Sequence, residues 1–168
     1  MRLGILLITL LCCITGNAFA GDHGVGFTLY LVRHAEKQAD GSRDPNLTEA
    51  GEQRAKYLAA WLKDQEIDDI WSSGYRRTTG TAQPLATELG LLLNIYDPRD
   101  QSVLLERLLD RRDNALVVGH SNTIPELARM LCGCTIADMD ESEYDRLIVV
   151  SVAAGKTAVK TLNQDELF

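Results

Sequence analysis

Short apolar runs alternate along the chain with stretches in which apolar residues recur every three or four positions. Phe27-Thr28-Leu29-Tyr30-Leu31-Val32 is almost unbroken in hydrophobicity and stops at Arg33-His34, the pattern of a strand buried on both faces of a mostly parallel sheet. A polar loop from Gln38 to Leu47 follows, and Thr48 is placed to cap a helix whose apolar side is Ala55, Leu58, Ala59 and Leu62. Asp68 to Ser72 predicts a second strand. Arg77 to Leu89 predicts a helix that tolerates Pro84 by kinking or starting late, with Gly90 ending it. Leu91 to Tyr96 (strand), Ser102 to Arg111 (helix), Ala115 to Val118 (strand, ending at Gly119-His120) and Ile124 to Leu131 (helix) continue the alternation. Leu147 to Val152 and Thr157 to Thr161 predict closing strands joined through Ala153-Ala154-Gly155-Lys156. Strand and helix alternate over most of the length, so the expected fold class is α/β: a three-layer α/β/α sandwich around a mostly parallel sheet.

The first twenty residues stand apart from this pattern. Arg2 precedes an apolar stretch from Leu3 to Ile14, and Ala18-Phe19-Ala20 supplies small residues ahead of Gly21. These are the parts of a secretory signal cleaved after Ala20, and the apolar run falls short of the roughly 20 residues that span a bilayer. The expectation is an exported protein, periplasmic or secreted, with no membrane span after signal removal. Residues 21–168 form one domain, whose lead-in includes His23. Leu11 before Cys12 argues against a lipid anchor, which needs a small residue there.

Charge narrows the partners. The chain carries 17 Lys plus Arg against 24 Asp plus Glu, a formal net charge of -7, with 45% hydrophobic residues. The apolar fraction excludes intrinsic disorder, and the acidic balance argues against nucleic acid as a partner. A monomer is expected. Any anion site must therefore be a local concentration of positive charge. Within the expected domain the cysteines are Cys132 and Cys134; export permits a disulfide, the tight ring argues for strain, and free thiols and a redox pair both stay open. Two cysteines without a second Cys or His cluster do not make a zinc site. Trp61 and Trp71 are expected to pack in the interior, and the acidic tract Asp138, Asp140, Glu141, Glu143 to be a solvated loop.

His34 and His120 both follow predicted buried strands, and open α/β sheets bind ligands outside the carboxyl ends of their strands. A guanidinium at such a strand end, as at Arg33, is costly to desolvate unless an anion pairs with it; Glu36 and a bound phosphate are the two partners considered. Arg76-Arg77 follows the second strand on the same rim.

Leu31-Val32-Arg33-His34-Ala35-Glu36 resembles the Arg-His-Gly signature of the histidine phosphatase superfamily, which includes cofactor-dependent phosphoglycerate mutases and bacterial phosphohistidine phosphatases. Asn46-Leu47-Thr48-Glu49-Ala50-Gly51, the segment from Ser72 to Ala82, and Val117-Val118-Gly119-His120-Ser121-Asn122-Thr123 resemble its further motifs in the same order. The resemblance covers roughly residues 27 to 132. It implies a nucleophilic histidine at His34, phosphate-binding arginines at Arg33 and Arg77, and a second site histidine at His120. Arg76 falls on a variable, solvent-facing position. Ala35 stands where the family has glycine, and the chain is too short for the lid insertions of larger members.

The residue types suit that chemistry. A neutral imidazole attacks phosphorus and splits hydrolysis into phosphorylation of His34 and release by water, and Arg33, Arg77 and a protonated His120 would stabilise the charge on the transferring group. No metal and no cofactor is called for. The general acid is not assigned by any motif; Glu36, Asp97 and Asp100 are the carboxylates considered. The expected activity is hydrolysis of a phosphomonoester or phosphoramidate on a small phosphorylated substrate. The alternative is a non-catalytic module that binds a phosphorylated ligand on the same fold.

Overall fold

In a computed structural model, residues 26–167 are described; the expected signal at residues 1–20 and His23 lie outside them. The elements run β1 (Phe27–Arg33), α1 (Glu49–Leu62), β2 (Asp69–Ser73), α2 (Arg76–Leu89), β3 (Leu93–Tyr96), α3 (Gln101–Arg111), β4 (Ala115–Gly119), α4 (Thr123–Cys132), then β5 (Arg146–Ala153) and β6 (Lys156–Asn163). One six-stranded sheet has the order β3-β2-β4-β1-β5-β6. The pairings of β1 with β4 and of β2 with β3 and β4 are parallel, while β5 and β6 join antiparallel at one side.

The apolar runs of β1 and β4 follow from their central position. Leu29 and Leu31 of β1, with Ala115 and Val117 of β4, face α3 and α4 through Leu104, Leu108, Ile124, Leu127 and Ala128. Tyr30, Val32, Leu116 and Val118 face α1 and α2 through Leu58, Leu62, Ala82 and Leu85. Both faces are covered, so alternation disappears from the sequence and an unbroken hydrophobic run replaces it. The fold is the expected α/β/α sandwich.

Local signals set the boundaries. The Thr48 hydroxyl accepts the Gly51 N–H at 3.1 Å and starts α1. Gly90 takes a left-handed conformation (φ 66°) and ends α2, which runs through Pro84. β5 and β6 are joined by Ala154 (φ 49°) and Gly155 (φ 71°), a two-residue turn with both φ positive that matches the strand twist. Trp71 is buried as expected, and Trp61 packs against the α1/α2 side of the core.

Two expectations change. Cys132 and Cys134 are paired in a disulfide whose Cα atoms stand 5.1 Å apart, inside the usual range, so the ring at the end of α4 does not force the separation that argued for strain. The acidic tract is also more than a solvated loop. Its backbone is gathered by three arginines: Arg33 reaches the carbonyls of Asp140, Glu141 and Glu143, Arg129 that of Ile136, and Arg146 those of Ala137 and Asp138. Among the described residues no helix is long and apolar enough to cross a membrane.

Candidate active site

The parallel register brings the two histidines together. Arg33 pairs with Gly119, so the next residue of each strand, His34 and His120, leaves the sheet side by side, and the His34 N–H donates to the Gly119 carbonyl at 2.9 Å. The ring centroids are 5.5 Å apart and meet edge to face. Arg33 is carried by β1 itself. Arg77 lies in the first turn of α2, just beyond the end of β2, which neighbours β4. All four residues singled out by the sequence are thus assembled at the carboxyl ends of three adjacent strands, and Arg76 is exposed, as expected.

His34 lies at the floor, 3% exposed. Its Nδ1 stands 2.8 Å from the Ala35 carbonyl. A carbonyl only accepts, so the neutral ring carries its proton on Nδ1 and leaves the Nε2 lone pair free. Burial, reinforced by Arg33, His120 and Arg77, lowers its pKa to about 3 despite the opposing bond to Ala35. The imidazole is therefore neutral at any pH where the protein would work. The Ala35 N–H donates to the Thr81 hydroxyl, which donates to the Arg77 carbonyl, tying the nucleophile's loop to the first turns of α2. The Ala35 methyl, present where the family has glycine, packs with Leu47 and Ala55 in a small buried cluster.

His120 is governed by the same burial and cations. Burial, together with Arg77, Arg33 and Lys37, lowers its pKa to about 4, with Glu141 opposing. In the unliganded protein it is neutral, so the protonated His120 expected from the sequence requires an anion in the pocket. Proton counting settles its tautomer. The Thr78 hydroxyl has one proton and faces two acceptors, the carbonyls of Ser73 at 2.7 Å and Tyr75 at 2.8 Å. The Ser73 hydroxyl must then donate to Thr78 Oγ1, at 2.9 Å, and His120 Nε2–H must donate to Ser73 Oγ, at 2.9 Å. The backbone of His120 is held by the Thr123 hydroxyl at 3.0 Å.

The arginines are paired unequally. Arg33 Nη1 donates to three carbonyls of the 140–143 loop and Nη2 to Glu141 Oε2 at 2.9 Å. Arg77 lies 3.6 Å from Asp44 Oδ1. Among the described residues Arg33 Nε, Arg77 Nε and Arg77 Nη1 are buried with no hydrogen-bond partner, Asp44 being only an ion-pair neighbour of Arg77 Nη1, and buried donors of this kind carry a large penalty unless something else binds them. Each guanidinium lies on a tyrosine face, Arg33 at 4.3 Å from the Tyr144 ring and Arg77 at 4.4 Å from the Tyr75 ring. The same rings flank the histidines, Tyr144 with His34 and Tyr75 with His120.

The carboxylates considered from the sequence are engaged elsewhere. Glu36 binds Arg54 rather than Arg33, with Nη2 to Oε1 at 2.9 Å. Asp97 pairs with Arg99, which lowers its pKa to about 2, and Asp100 caps α3 through the Val103 N–H. Two other carboxylates reach the arginines: Asp44, 3.6 Å from Arg77 Nη1, and Glu141, which binds Arg33 and also accepts from the Ser121 hydroxyl at 2.5 Å. Glu141, Tyr144 and Ser73 were missed as site residues. Ser73 was within reach, being two residues after Trp71 at the end of a predicted strand; Glu141 and Tyr144 return from more than a hundred residues beyond Arg33, and no local pattern marks them. Among the described residues no group of three or more His, Cys, Asp or Glu is arranged to hold a metal ion.

Comparison with known proteins bears on the family and the fold. The family model described as histidine phosphatase superfamily (branch 1) matches residues 29–99. The protein named “Probable phosphoglycerate mutase GpmB” of Erwinia tasmaniensis is 30% identical, over 73% of this chain and 68% of its own. Its namesake in Serratia proteamaculans is 37% identical over 49% of this chain, but the match spans only 42% of that longer protein. Among solved structures, the protein histidine phosphatase SixA complexed with tungstate has a TM-score of 0.68 at 21% identity, covering 84% of this chain and all of that one; at that identity the likeness carries the fold.

Proposed function

The chain belongs to the histidine phosphatase superfamily, and on that premise we propose that it is an exported phosphatase that hydrolyses a phosphomonoester or phosphoramidate through a phosphohistidine on His34. The observation that carries the reading is the pair of buried arginines with three nitrogens that lack a hydrogen-bond partner among the described residues, beside a histidine whose Nε2 lone pair is free. A phosphoryl group satisfies those donors and presents its phosphorus to that lone pair.

In the first step Nε2 of His34 bonds to phosphorus as the ester or amidate bond breaks. In the second, water displaces phosphate from the ring. Arg33 and Arg77 meet the charge on the equatorial oxygens, and the preorganised donors need no rearrangement as it develops. Bound phosphate also reverses the local field at His120: the cations that hold the empty ring neutral are then offset by the anion, and the ring takes up the proton that lets it bind the phosphoryl oxygens. The account uses no metal, so turnover is expected to persist in strong chelator. Mutase activity is disfavoured, because isomerisation needs an enclosed pocket and this one opens past Tyr75, Pro98 and Arg99.

The test is turnover of 4-nitrophenyl phosphate by wild type and His34→Ala. The variant is expected to fold and to release no phosphate; retained turnover refutes the mechanism. Saturable phosphate-ester binding without release by the wild type would instead support the non-catalytic alternative.

A further inference from the structure

An ester whose leaving oxygen is basic needs a proton as the bond to phosphorus breaks, and the carboxylates suggested by the sequence are committed elsewhere. We propose that Glu141 is the general acid for the leaving group, and the base for the water that follows; this rests on the phosphatase reading above.

Position carries the assignment. His34 is at the pocket floor, 3% exposed, while the Glu141 side chain is 75% exposed. Attacking and leaving atoms lie roughly in line across phosphorus, so a nucleophile on the floor directs the leaving oxygen outward. The Glu141 carboxylate bridges Arg33 on one side, at 2.9 Å, and Ser121, the residue after His120, on the other, at 2.5 Å. It therefore stands over the two groups that flank the phosphoryl position. Asp44 also approaches a phosphate arginine, but it accepts the Arg76 N–H at 2.9 Å and is anchored at the start of α2. The side-chain bonds of Glu141 go to groups of the site itself.

That attachment gives it a proton at the right moment. In the empty protein the Ser121 hydroxyl, with Arg33 and Lys37 around it, holds the Glu141 carboxyl below its usual range. A phosphate ester bound at the open Nε of Arg33 offsets the guanidinium's charge. The carboxylate beside it then faces a weaker cation and a neighbouring dianion, and both changes favour its protonated form. The step then balances: the Nε2–phosphorus bond forms, the phosphorus–oxygen bond breaks, and the Glu141 proton moves to the departing oxygen. In the second half the Glu141 carboxylate takes a proton from water as its oxygen bonds to phosphorus and the Nε2–phosphorus bond breaks. Neutral His34 and protonated Glu141 are restored.

The experiment compares kcat/KM of full-length wild type and Glu141→Gln for two esters: 4-nitrophenyl phosphate, whose leaving group departs without a proton, and phenyl phosphate, whose leaving oxygen needs one. General acid catalysis contributes about 10²–10⁴-fold, so the variant is expected to lose roughly a hundredfold or more on phenyl phosphate and far less on the nitrophenyl ester. A change of about tenfold or more in the ratio of the two values supports the assignment. A smaller change overturns it, because loss of a structural contact or of a competitor for Arg33 acts on both esters alike. Activity toward 4-nitrophenyl phosphate reports that the variant is folded; if it is lost there too, Glu141→Asp must restore the phenyl ester preferentially, and failure to do so also overturns the assignment. If the wild type turns over neither ester, the phosphatase reading falls and takes this assignment with it.

Discussion

Gly51 shows how tightly the nucleophile's loop is held, and replacing it with alanine is a sharp test of that packing. An added Cβ would sit 2.2 Å from the Glu36 carbonyl oxygen, 3.0 Å from the Glu36 nitrogen and 3.1 Å from its carbonyl carbon. Real Cβ atoms essentially never come within 3.0 Å of such neighbours, so α1 must retreat by about 0.8 Å. The obstacle is backbone and cannot swing aside. Retreat loosens the Thr48 N–H bond to the Glu36 carbonyl, 2.9 Å, and the Thr48 cap on the Gly51 N–H, 3.1 Å. Overpacking costs about 1–3 kcal/mol and a weakened cap adds roughly 1, so Gly51→Ala is expected to lose about 2–4 kcal/mol and roughly 10 °C in Tm. Glu36 is two residues from His34, and a displaced loop moves the Ala35 carbonyl that orients the ring, so kcat falls about tenfold or more. Gly80→Ala is the matched control. It lies inside α2, its added Cβ meets the Leu47 side chain at 3.3 Å, which must give by a few tenths of an ångström where Gly51 meets backbone, and the helix interior offsets that with about 1 kcal/mol from the exchange. Thermal unfolding and turnover of the two variants check the argument. A Gly51→Ala protein within 2 °C of wild type, or equal damage from both changes, refutes it.

Three further outcomes follow from the same contacts. His34 is held neutral in the folded protein, with a pKa of about 3 against the usual 6.5, so below pH 6.5 the unfolded chain binds the extra proton and stability falls toward pH 3; His34 alone contributes on the order of 3 kcal/mol of this loss by pH 4, and urea midpoints against pH should show a shallower decline for His34→Gln than for wild type, parallel curves contradicting it. Ser73→Ala removes the acceptor for His120 Nε2–H and should lower kcat by about one to two orders of magnitude while costing about 1–3 kcal/mol of stability for the donor it strands; unaltered kinetics would mean that the hydroxyl does not orient the ring. Asp69 is buried and binds Trp71 Nε1 and Arg111 Nε, each at 2.8 Å, at the end of β2 away from the site, so Asp69→Ala should cost about 3 kcal/mol by urea denaturation and leave kcat of the folded protein intact.

Much of the site was legible because its parts are local. A buried strand that ends at Arg33-His34 and another that ends at Gly119-His120 announce themselves by their apolar runs, and parallel pairing then aligns Arg33 with Gly119. Thr48 and Gly90 marked helix ends because a side-chain cap and a left-handed residue are properties of single positions. Strand limits were less sharp: the apolar residues Leu91 and Leu92 precede β3, which begins at Leu93, because nothing in hydrophobicity says where pairing with β2 starts. The acidic tract was the main failure. A run of Asp and Glu reads as a solvated loop, and only folding shows that its carbonyls face Arg33 and that Glu141 enters the site. That His120 is neutral in the empty pocket was not legible for a related reason, since it depends on burial and on cations from β1, its following loop and α2 acting together.

The central claim is that His34 carries the phosphoryl group between the two steps. Incubating wild type with a ³²P-labelled aryl phosphate, quenching in alkali and mapping the label tests it directly. The account predicts one acid-labile, alkali-stable phosphoryl group on His34 Nε2, absent from His34→Ala; label on another residue, or steady turnover with no covalent intermediate under rapid quench, would contradict it.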